Sequence, residues 1–315
     1  LRRRVSGGAA DNDPIVTLEP PAQDQPIAHA GPRVAFSPAN WLRRYRGAAI
    51  AFALTLLILG AAYVAFISAQ SRVALAPIAI EEGSSAPARA LAMAEALLAL
   101  APDSALGDDT LLAPTARAAR LMEMRAGAQD AAGGFLAALG PDRGRADAAL
   151  IEARELAGEG DHEGARQAVA RLSDRLKGRQ ARLSSKPAAL AAIAAQTARD
   201  CDAAGIALAD AVKQGPRSYM DPLAEAPFFK ARGLAFGWAA LIRAWAGDFQ
   251  GLSLVVQDRV RALLTILERA GGYQPFFVAN PGPASWFGPN HLALLGLDFA
   301  AAAAAARDLE AALET

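Results

Sequence analysis

Three observations predict an all-α chain in which a single transmembrane helix is followed by an exported helical bundle with a long aromatic and Pro-rich loop before the last helix. Gly47 to Ile67 is a run of 21 residues without one ionisable charge. Beyond it, apolar residues recur at three-to-four spacing and strand signals are nearly absent. The 53% apolar fraction is carried largely by alanine, which favours helix, while aromatics make up only 6%.

Residues 1–46 are expected to form a disordered basic cytoplasmic tail, because they are polar and rich in Pro and Gly and show no sustained apolar period. The span, residues 47–68, is preceded by Trp41, Arg43, Arg44, Tyr45 and Arg46, and only Arg72 closely follows it. At about 1.5 Å per residue such a helix is roughly 30 Å long, the thickness of a bilayer core. The arginine asymmetry places the N-terminus in the cytoplasm and the C-terminal domain in the periplasm, as for a signal anchor in a bacterial inner membrane. Two rival readings fit the segment less well. A cleaved signal peptide would need an n-region of about 46 residues and an unusually long apolar core, and Pro77 follows the Ala74-x-Ala76 pattern where signal peptidase disfavours it. A buried core helix of this length would carry a polar face.

Residues 69–87 read as a linker, with Pro77, Gly83 and Pro87 as breakers. Periodicity and punctuation then predict helices over about Ala88–Leu100, Leu111–Leu139, Arg145–Gly158, Glu163–Leu183 and Pro187–Gln214. In the C-terminal part, Phe228, Ala231, Leu234, Trp238, Leu241 and Trp245 line one face of a helix over Glu225–Ala246. Leu252, Val256, Val260, Leu263 and Leu267 do the same over Leu252–Ala270. A last helix runs over Pro289–Leu313 and opens with proline in its first turn. Phe135 is the sole aromatic between Ser68 and Arg217, whereas 13 of the chain's 20 aromatics lie between Tyr219 and Phe299. Because aromatics supply large buried areas, residues 88–214 are expected to be a sparse Ala-rich helical arm and residues 215–315 a compact C-terminal bundle.

The charge balance sharpens the topology. The chain holds 32 basic and 32 acidic residues, yet residues 1–46 carry a net +3 and residues 71–315 a net −3. Such a balance argues against a globally basic nucleic-acid binder. One cysteine excludes a disulfide scaffold. Cys201, between Asp200 and Asp202, reads as an unpaired residue, with an intermolecular disulfide as the other reading.

His29, His162 and His291 are far apart, and neither H-E-x-x-H, C-x-x-C, a Walker-type Gly-Lys-Ser/Thr nor G-x-S-x-G occurs. No catalytic residue, metal or cofactor is therefore expected. Leu156 to Leu172 resembles half of a tetratricopeptide unit without a second copy. The stretch Gly271–Gly288 is the most informative, because it combines Pro275, Pro281 and Pro283 with Tyr273, Phe276, Phe277, Trp286 and Phe287. It has two readings, a loop that folds its aromatics onto the bundle or a surface for a partner or ligand. The candidate surface is Phe276, Phe277, Trp286, Phe287, Asn290 and His291, the last two being also suited to capping or packing.

Phe228-Phe229-Lys230-Ala231-Arg232-Gly233, Trp238, Leu241-Ile242-Arg243-Ala244, Asp248-Phe249 and Pro289-Asn290-His291-Leu292 resemble the C-terminal part of a bacterial inner-membrane family, domain of unknown function 2333. The resemblance covers residues 210–313, and the middle region, Ser84–Ala209, looks shorter than that family's usual form. It implies the same layout of cytoplasmic tail, one span and helical exported region, and it implies no activity or cofactor. The expected function is that of a non-enzymatic envelope scaffold, adaptor or assembly factor with an envelope protein partner and no nucleic acid. The alternative is a periplasmic ligand-binding module or enzyme with a pocket between the C-terminal helices, using Glu225, Arg232, Arg243, Asp248 and His291.

Overall fold

The computed structural model describes residues 45–71, 75, 78, 85–100, 114–139, 148–177, 187–215, 222–246, 252–275, 277–281 and 290–314. Among these residues the chain is helical throughout, with no strand: α1 (Arg46–Ser71), α2 (Ala86–Leu98), α3 (Pro114–Ala138), α4 (Ala148–Gly158), α5 (His162–Lys177), α6 (Pro187–Gln214), α7 (Pro222–Ala246), α8 (Leu254–Gly272) and α9 (His291–Glu314). Two compact units result, Leu1–Leu59 and Gly60–Thr315, and the division falls within α1.

α1 is long and apolar enough to cross a membrane over Arg46–Tyr63, and none of that window is buried inside the protein. Phe52, Leu57, Ile58 and Leu59 are among its exposed side chains. A core helix of a soluble domain would be mostly buried, which this window of α1 is not. Thr55 returns its hydroxyl to the Ala51 carbonyl at 2.9 Å, which satisfies the one polar side chain in the run from Gly47 to Ala62.

The second unit is a bundle of α2–α9. Prolines open α3, α6 and α7, where a missing N–H costs nothing because first-turn donors have no partner within the helix. Ser253 caps α8 by accepting the Val256 N–H at 3.3 Å. The α4–α5 hairpin turns at Gly160, whose φ of 82° suits glycine, and Asp161 then caps α5 through the Gly164 N–H at 2.9 Å. In packing, α9 lies along α6 and α8, α3 lies along α7, and α2 touches α5, α7 and α3. Charged pairs tie many of the same neighbours, among them Asp130–Lys230 between α3 and α7 at 3.0 Å and Arg259–Asp308 between α8 and α9 at 3.2 Å.

Two expectations change here. The sparse arm of residues 88–214 and the compact bundle of 215–315 are not separate packing bodies, since α3 belongs with α7 and α6 with α9. The scarcity of aromatics between Ser68 and Arg217 suggested thin packing, but small residues pack helices more closely. A Cβ on Gly233 would run into the Met124 carbonyl, and one on Gly127 into the Lys230 carbonyl, so these two backbones meet directly. For the same reason α7 has more than one buried face. Its predicted stripe is buried, and so are Phe229, Arg232, Ala235 and Ile242. The last helix also starts later than expected, at His291, with Asn290 rather than proline at its entry; Pro289 itself lies outside the described residues.

Candidate functional site

Of the six candidate surface residues, Phe276, Trp286 and Phe287 lie outside the described residues, and Phe277 is half-buried. Asn290 and His291 act as a clasp. The Asn290 side-chain oxygen accepts the Ala293 N–H at 3.0 Å, which caps α9. Its amide donates to Asn280 Oδ1 at 2.7 Å and to the Pro281 carbonyl at 3.3 Å. His291 forms a closed pair with Ala279: its N–H donates to the Ala279 carbonyl at 3.0 Å, while its Nδ1 accepts the Ala279 N–H at 2.9 Å. Accepting at Nδ1 puts the proton of a neutral imidazole on Nε2. Burial lowers the His291 pKa, and the ring packs edge-on to Phe228 at 6.3 Å. Val278, Ala279 and Asn280 are buried under this clasp. The segment 277–281 is thereby fixed to the bundle by its backbone, which is the role of a loop folded onto its domain.

Among the described residues, Glu225, Arg232 and Arg243 of the alternative pocket each have a partner on a neighbouring helix. Glu225 pairs with Arg120, accepting from Nε at 3.1 Å. Arg243 pairs with Glu268 on the surface. Arg232 is 1% exposed and donates to the Gly271 carbonyl at 3.1 and 3.3 Å. Arg120 and Arg232 both lie over the Phe229 ring, at 5.1 and 5.3 Å, and burial together with nearby Arg120 lowers Arg232 to about 10. Asp248 lies outside the described residues. These groups join helices to one another.

A cavity is present elsewhere, between α3, α4, α6 and α7. Its volume is about 590 Å³, within the range of small-molecule sites. Ala137, Ala157, Ala203, Ala204, Ala207 and Leu234 give it an apolar lining, and Gln129, Asp130, Arg154, Gln196, Asp200 and Lys230 are its polar members. Asp200 is the central group. Its Oδ1 accepts from Gln196 Nε2 at 2.8 Å and its Oδ2 from Trp238 Nε1 at 3.1 Å. Burial raises its pKa, an effect opposed by those two hydrogen bonds and by Arg199 and reinforced by Asp130. Gly134 makes room for this carboxylate, since a Cβ there would collide with Asp200 Oδ2. Its neighbour Gly133 is different, for a Cβ would only touch that of Ala157 at 3.6 Å.

None of these lining residues belongs to the sequence-derived candidate set. Asp200 stood out there only as a neighbour of Cys201, and Trp238 only as part of an apolar stripe. The pairing across 38 positions that joins them has no local signature, although Gly134 is a glycine inside an otherwise favourable helix. Cys201 is fully buried; desolvation first, then Asp200 and Asp202, raises its thiol pKa. A second chain cannot reach that sulfur in this fold. Among the described residues, no group of three or more His, Cys, Asp or Glu is arranged to hold a metal ion.

No protein-family model, curated protein or solved structure matches the chain.

Proposed function

We propose that this chain is a single-pass bacterial inner-membrane protein whose N-terminus is cytoplasmic and whose periplasmic helical domain serves as a scaffold, adaptor or assembly factor for an envelope protein. The observation that carries the reading is α1, an apolar helix with no buried side chain over Arg46–Tyr63. Such a surface is unfavourable in water and matches a bilayer. Arg43, Arg44 and Arg46 before the span, against Arg72 after it, support the orientation. The family resemblance supports the same layout. The exposed faces of the bundle and the half-buried Phe277 are the described surfaces that a partner would meet.

One experiment in intact cells and spheroplasts tests both parts. A photocrosslinker replaces Phe277 in the full-length chain, and protease is added from outside. The expected outcome is a discrete crosslinked envelope protein in intact cells, with the C-terminal domain digested only after the outer membrane is opened. A C-terminal domain that stays protected in spheroplasts but is digested after lysis overturns the topology. Correct topology with no crosslinked product overturns the partner reading at this loop.

The cavity favours a second reading, a ligand-binding module, with its site between α3, α4, α6 and α7 instead of between the C-terminal helices alone.

A further inference from the structure

We infer that the cavity between α3, α4, α6 and α7 binds a small organic cation, with an ammonium group seated on Asp200 and an apolar body lying against the alanine and leucine lining. This rests on the ligand-binding reading and is independent of the membrane topology.

Asp200 carries the assignment. An ionised carboxylate has about four acceptor positions, and Gln196 and Trp238 fill one on each oxygen. Both donors are neutral, so they orient the group without cancelling its charge. Arg199, one residue away, donates instead to Gln196 Oε1 at 2.6 and 3.1 Å. A partly desolvated carboxylate with no cation directly bonded to it is costly unless a positive group arrives. Lys230 is half-exposed and already held by Asp130 at 3.0 Å. Arg154 lines the cavity from the α4 side and is partly exposed. Asp200 is therefore the charge of this site that is fixed in place by two neutral donors, and it selects a cation. Gly134 completes the site, because any side chain there would fill the space that the carboxylate occupies. The apolar lining then favours an ammonium attached to a hydrocarbon or aromatic group over an inorganic cation.

The test uses the full-length chain in lipid nanodiscs, with empty nanodiscs as the partition control. Phenethylamine, phenethyl alcohol and 3-phenylpropionate are titrated calorimetrically near neutral pH. Saturable binding is expected for the amine, with the alcohol and the acid at least about tenfold weaker, as for loss of one charged hydrogen bond. Asp200→Asn keeps the side-chain shape and an acceptor for Trp238, and it should weaken the amine at least about tenfold. Ala203→Trp, at an exposed lining position, fills the cavity without entering the core and should abolish binding. If no probe binds saturably, the ligand-binding reading and the cation assignment both fail. If the acid or the alcohol binds as tightly as the amine, and Ala203→Trp removes that binding, the cavity is a site but the cation assignment fails. Amine binding that survives both substitutions places the ligand elsewhere and overturns the inference.

Discussion

The pair α3 with α7 and the pair α6 with α9 achieve close packing by opposite means. Between α3 and α7 the contact is made by absent side chains. Gly127 and Gly233 each face a carbonyl of the other helix, and a Cβ on Gly237 would stand 2.7 Å from that of Ala131. Between α6 and α9 the contact is made by side chains that are present. Leu292, Leu295, Phe299 and Leu309 of α9 are buried, as are Ile193, Ala198 and Leu208 of α6. Glycines occur there too, but a Cβ on Gly205 or Gly296 would meet only ordinary contacts at 3.9 Å or more. The same residue type is thus obligatory in one pair and incidental in the other. Position relative to a neighbouring backbone decides which.

Removing carbon should break the second pair and adding carbon the first. The largest effect is expected for Phe299→Ala, which empties a fully buried site in α9 and should cost about 3–5 kcal/mol in denaturant unfolding followed by circular dichroism. A loss below about 1 kcal/mol would mean that α9 is not seated through this ring. Gly233→Ala comes next. One added methyl against the Met124 backbone cannot be relieved by a rotamer change, so about 2–3 kcal/mol is expected, the upper range for overpacking. An unchanged midpoint for this variant would show that α3 and α7 have room to part.

The contrast also explains what could be read from the chain alone. α6 was legible at both ends, Pro187 and Gln214, because a proline start and Gly215 bracket a continuous apolar period. The apolar stripe from Phe228 to Trp245 was legible as one buried face. The burial of Phe229, Arg232 and Ile242 beside it was not, because it depends on how closely α3 approaches, and that is set by Gly127 and Gly233 on different helices. Asn290 and His291 could be read as helix-start residues, and they do hold the loop to α9. The cavity around Asp200 was invisible for a similar reason. In sequence Asp200 is only a neighbour of Cys201 and Trp238 only part of an apolar stripe, and it is the crossing of α6 with α7 that joins them, with Gln196, into one hydrogen-bonded group.

The smallest effect sharpens the comparison most, because it has the opposite sign. Gly205 lies within α6, where glycine is about 0.8–1.0 kcal/mol worse than alanine for the helix. A Cβ there would rest 3.9 Å from that of Phe299 and 4.0 Å from the Gly296 carbonyl, which is van der Waals contact without compression. Gly205→Ala should therefore stabilise the bundle by up to about 1 kcal/mol, through helix propensity and a more restricted unfolded chain. Measured beside Gly233→Ala under identical conditions, the two variants add the same atom to the same residue type inside a helix. They differ only in what that atom meets. Opposite shifts of the unfolding midpoint are expected; destabilisation by both would mean that α6 and α9 also meet backbone to backbone, and the distinction between the two pairs would be lost.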